Sequence, residues 1–169
     1  MKRNLVLSSL FFLLTLLITA KVNAQPPPKA VRSASTSLQL NGKGIKLETV
    51  AYVNVMPRVI LPKEKQVPID CSKSGRFIVI TTISVTDGSV LPTGIEINRV
   101  WVHINGTWWE GVFNKDETNV TEKTIRTVAR DCPRKVLRGD EKVKVIVAFS
   151  QGGKTYYLRS TQEKLSAAS

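Results

Sequence analysis

The sequence predicts an all-β fold, a two-sheet antiparallel β-sandwich with an immunoglobulin-like strand order. Every convincing hydrophobic pattern beyond residue 38 has a period of two, and turn dipeptides separate these patterns at short spacing. No segment sustains a helical period. A small closed β-barrel is the alternative for the same strand content.

The domain is preceded by an export signal. Lys2 and Arg3 form a positive head, Leu5 to Ile18 is an almost unbroken apolar stretch, and Val22-Asn23-Ala24 offers small residues for cleavage. The apolar core falls short of the roughly 20 residues that span a bilayer, so no anchor is expected once residues 1–24 are removed. A secreted or periplasmic location follows. Residues 25–37, QPPPKAVRSASTS, read as a disordered leader, residues 38–165 as the sandwich domain and 166–169 as a tail.

The first strand has Ile45, Leu47, Thr49, Ala51, Val53 and Val55 on one face and Lys46, Glu48 and Asn54 on the other. In the next, Phe77, Val79, Thr81, Ile83 and Val85 repeat the pattern. Ile78 and Ile80 make that strand apolar on both faces, which predicts a central position in its sheet. Val100, Val102 and Ile104 alternate with Arg99, Trp101 and His103 up to Asn105-Gly106, a dipeptide suited to the positive φ angles of a type I′ turn. Counting outward from that turn sets His103 opposite Trp108 and Val102 opposite Trp109. Thr121 to Arg130 is a further strand. Lys142 to Ser150 and Lys154 to Thr161 form a hairpin about Gly152-Gly153, pairing Phe149 with Tyr156 and Val147 with Leu158.

The cysteines favour the sandwich over the barrel. In an immunoglobulin-type order, the strands at 76–86 and 121–130 are antiparallel neighbours. Cys71 precedes the first and Cys132 follows the second, so both fall at one end of the domain. An even count in an exported chain then predicts a Cys71–Cys132 disulfide.

Little in the chain suggests catalysis. His103 is the only histidine, its expected neighbours are tryptophans, and no nucleophile elbow, zinc-binding helix motif or phosphate loop is present. No cofactor or metal site is expected. The acid pairs Asp116-Glu117 and Asp140-Glu141 read as solvated turn residues. Trp101, Trp108 and Trp109 are possible aromatic anchors, because strand alternation sends Trp108 and Trp109 to opposite faces.

Charge supplies the other candidate site. The chain carries +12, which becomes +9 on removal of Lys2, Arg3 and Lys21. A disulfide would gather Lys73 and Arg76 with Arg130, Arg134, Lys135 and Arg138 into a basic end suited to anionic groups. These features predict an exported, non-enzymatic binding module that docks on a protein or on an anionic surface polymer such as a glycan or lipopolysaccharide. Nucleic acid is the least expected polyanion outside the cytoplasm. The alternative is an accessory domain of a larger envelope assembly. Asn105-Gly106-Thr107 and Asn119-Val120-Thr121 match the glycosylation pattern, which in a eukaryotic host would mark exposed loops; the hairpin turn accounts for the first without sugar.

Overall fold

The computed structural model describes residues 26–54, 76–131, 141–161 and 164–168. Cys71, Cys132, Lys73, Arg134, Lys135, Arg138 and the expected signal lie outside them. A short helix, α1 (Lys29–Arg32), comes first. The strands are β1 (Ser37–Leu40), β2 (Lys43–Asn54), β3 (Phe77–Val85), β4 (Glu96–Ile104), β5 (Thr107–Val112), β6 (Asn114–Val120), β7 (Thr124–Asp131), β8 (Val143–Gln151), β9 (Lys154–Arg159) and β10 (Ser166–Ala168).

They form two sheets rather than a closed barrel. One has the order β1-β2-β3-β7-β6, with β10 added to β2, and the other has the order β5-β4-β8-β9. With β2, β3, β7 and β6 in the places of strands A, B, E and D, and β5, β4, β8 and β9 in those of C′, C, F and G, this is the immunoglobulin-type order. As its two-faced apolar pattern predicts, β3 is central, with Phe77 to Val85 paired to β2 on one side and β7 on the other.

The inward residues of both sheets form one core. Ile45, Val79, Ile83, Val100, Val102, Val145, Val147, Phe149 and Leu158 are completely buried in it. Both expected hairpin registers are present: His103↔Trp108 and Val102↔Trp109 around Asn105-Gly106, and Phe149↔Tyr156 and Val147↔Leu158 around Gly152-Gly153. Asn105 and Gly106 have φ of 49° and 78°, the left-handed values that a type I′ turn requires.

A row of hydroxyls crosses the core on the larger sheet. Thr49, Thr81 and Thr127 are successive register partners on β2, β3 and β7. Thr49 Oγ1 meets Ser160 Oγ at 2.5 Å, and Thr118 Oγ1 meets Thr127 Oγ1 at 2.7 Å. In the middle of the row, the fully buried Thr81 Oγ1 has no hydrogen-bond partner among the described residues. A buried hydroxyl left in that state costs about 1–3 kcal/mol.

Four features differ from the sequence expectation. The leader is ordered over its described residues 26–37: Pro28 O accepts the amides of Val31 and Arg32, and Val31 is completely buried. A second Asn-Gly turn, Asn41-Gly42 with φ of 51° and 76°, makes β1 and β2 a hairpin. The polar segment Asn114–Val120 is a strand, held by β7 rather than by an apolar face of its own. The expected tail supplies β10, which runs parallel to β2 with Ser166↔Tyr52 and Ala168↔Asn54.

Candidate functional site

The expected site residues fall into two regions. In the first, Phe77 pairs with Asp131 at the end of the β3–β7 ladder, so Arg76, one residue before Phe77, lies at the same end of the sheet as Asp131. The Arg76 carbonyl also accepts the Asn54 amide at 2.8 Å, which fixes the start of β3 against β2. Arg76 and Arg130 are the two members of the expected basic cluster that are described.

Arg130 is not a free cation. Its Nη2 donates to Glu117 Oε1 at 2.6 Å and its Nε to Glu117 Oε2 at 3.0 Å, a bidentate pair across β6 and β7. Asn114 Nδ2 adds a third donor to Glu117 Oε2 at 3.2 Å. The guanidinium holds the Glu117 carboxyl below its ordinary range, mainly through these hydrogen bonds, and the carboxylate raises Arg130 in return. Glu117 is therefore a structural partner rather than the solvated turn acid expected from sequence, because β6 lies alongside β7.

The second region is the β4–β5 hairpin, where the three tryptophans have different surroundings. Trp109 points inward and meets Phe77 edge-on, with ring centroids 5.1 Å apart. Its indole lies over Gly111, where an added Cβ would stand 2.5 Å from two ring carbons. Only glycine fits beneath that ring. Trp101 faces outward yet is buried, because Val31 and Ala34 of the N-terminal segment pack with it on Ile146 and Ala148.

Trp108 is partly buried on the same outer face and stacks on His103, with centroids 4.7 Å apart. Beside it, Arg99 Nη1 donates to Glu110 Oε1 at 2.6 Å, and Val112 is 74% exposed. Of the expected anchors, Trp108 alone is both outward-facing and open to a partner. Asn105 and Asn119 are both exposed, Asn105 in the hairpin turn and Asn119 within β6 rather than in a loop.

On the outer face of the larger sheet, a shallow open depression of about 180 Å³ is lined by Glu48, Thr49, Val50, Ile80, Thr82 and Arg126. Among the described residues, no three metal-ligating side chains come together, and no helix is long and apolar enough to cross a membrane. Comparison with family models, with characterised proteins and with solved structures gives no match.

Proposed function

We propose that the chain is an exported, non-enzymatic binding module that docks through its basic end on an anionic surface polymer. The observation that carries this reading is the Phe77↔Asp131 pairing. It brings the segments that lead to Cys71 and from Cys132 out of the sandwich at one point, which supports both the Cys71–Cys132 disulfide and the grouping of Lys73, Arg76, Arg134, Lys135 and Arg138. Cations gathered on a rigid frame bind a polyanion with little loss of chain freedom, whereas the same charges dispersed over a surface mainly speed encounter. Arg130 has a different part here: bound to Glu117, it braces β7 and contributes little net charge. His103, the one imidazole, serves as a stacking surface for Trp108.

The test compares two triple variants of equal net charge on immobilised heparin. Changing Arg134, Lys135 and Arg138 to Ser is expected to weaken retention several-fold and to flatten its dependence on salt. Changing Lys115, Lys123 and Lys154 to Ser should have a much smaller effect. Equal losses from the two variants, or no retention of the unmodified protein, would overturn the reading.

A further inference from the structure

The edges of the two sheets are finished in different ways. The β2 edge is occupied by β1 over Lys43–Lys46 and by β10 over Tyr52–Asn54. The β6 edge is charged, with Lys115, Asp116 and Glu117, and is irregular in register between Asn114 and Asn119. At β9 the Arg159 amide donates to Ser35 O at 2.7 Å. Natural sheets block unwanted pairing with covers, charges and bulges of this kind. By contrast, β5 is regular along its whole length, Glu110 is its one charged residue, and its outer edge pairs with nothing among the described residues. Glu110 itself is neutralised by Arg99.

The turn fixes which groups of β5 face that edge. In a two-residue hairpin the flanking pair exchanges both hydrogen bonds, so Ile104↔Thr107, Val102↔Trp109 and Val100↔Gly111 are the bonded pairs. The N–H and C=O groups of Trp108, Glu110 and Val112 therefore point outward. The same count on the β8–β9 hairpin turns Arg159 outward, and its amide is the one bonded to Ser35.

We propose that β5 pairs antiparallel with the β5 of a second copy, about a two-fold axis at Glu110, to make one continuous eight-stranded sheet. This register brings all three outward-facing residues into bonded pairs: Trp108 with Val112, Glu110 with Glu110, and Val112 with Trp108. It covers the highly exposed Val112 of each copy with the Trp108 of the other, on the same outer face. The two Glu110 carboxylates meet as already neutralised pairs, each with Arg99 at 2.6 Å. Moving the axis to Trp109 would leave the Val112 amide without a partner and Val112 uncovered. The pattern is self-complementary, which points to a second copy rather than an unrelated strand, and two-fold dimers are the commonest closed assemblies.

A single strand pair is a small interface, so the dimer is expected to be concentration-dependent, in the micromolar range. Sedimentation of the purified protein, without any polymer present, should show one chain when dilute and two when concentrated. Glu110→Pro removes an outward amide without touching the β4 ladder, and Val112→Asp places a charge on the covered side chain. Each should weaken dimerisation at least tenfold. Val120→Asp, at an equally exposed valine on β6, should leave it unchanged. If Glu110→Pro disturbs the fold by circular dichroism, Val112→Asp decides alone. A single-chain mass at every concentration up to about 0.5 mM, or a dimer indifferent to these changes, overturns the proposal. Because no polymer is present, that outcome leaves the heparin result standing by itself.

Discussion

The outer face of the β5-β4-β8-β9 sheet is apolar at its centre, and the chain covers it with the segment that holds α1. The outer face of the larger sheet is mixed: Val50, Ile80 and Val128 lie in register across β2, β3 and β7, with Glu48, Thr82, Arg126 and the Glu117–Arg130 pair around them. On the first, Val31 and Ala34 seal Trp101, Ile146 and Ala148 from water. On the second, Val50 is 51% exposed opposite Ile80 and beside Glu48, Thr82 and Arg126, and none of the described segments lies over it as the N-terminal one lies over Trp101. A broad apolar patch drives association until something covers it, whereas a short apolar row set among charged and hydroxyl side chains does so far less. The difference explains why the Pro-rich leader is ordered: the sheet beneath it needs a lid, and completely burying a valine such as Val31 contributes about 1.5–3 kcal/mol.

That comparison can be broken at the lid. Val31→Asp would set an unpaired carboxylate against Trp101 and Ile146, and should cost about 3 kcal/mol or release the segment altogether. Urea unfolding followed by tryptophan fluorescence would show the loss together with a red shift in the native emission. Unchanged emission would mean that the segment contributes nothing there.

The ionic face should respond less. Glu117→Gln is expected to cost about 1 kcal/mol near neutral pH, since the pair is charge-assisted and bidentate but partly open to solvent. The folded carboxyl titrates below its ordinary value of 4.5. Its stabilisation is therefore present above that value and is lost as the pH falls through the lower, folded one. The variant should lack this acid-sensitive increment, and the two unfolding curves should converge in strong acid. A constant gap at all pH values would assign the effect to packing instead. Least of all should follow from Val50→Thr, within about 0.5 kcal/mol by thermal unfolding, because the side chain is already half in water.

Much of this arrangement was legible in the sequence. Hairpin turns carry their own register, so the positions of His103, Trp108 and Trp109 followed from Asn105-Gly106 by counting. The double-sided apolar run at 77–85 identified the central strand, and its pairing with residues 124–131 was expected from the strand order. Asn41-Gly42 carries the same signal, but Ser37–Leu40 is too short a strand for alternation to show. Asn114–Val120 was harder to read. An edge strand with no fully buried side chain presents no hydrophobic period, and its backbone bonds to β7 leave no mark on composition. Missing that strand concealed the partner of Arg130, which therefore read as a free cation. The N-terminal cover escaped for a related reason: Val31 and Ala34 are only two anchors within a Pro- and Ser-rich stretch.

The direction of β10 also determines how its seam with β2 bears a load. β10 runs parallel to β2, with its C-terminal residue beside the C-terminal end of that strand, while the N-terminal segment joins β2 at the opposite end through β1. A force drawing Ala168 away from Lys43 therefore slides β10 lengthwise along β2 instead of peeling it away. All the hydrogen bonds of that pairing are strained together, and the seam yields only when they fail as a group. The strand that closes this part of the β2 edge is therefore also the one whose length sets how much lengthwise load the edge withstands.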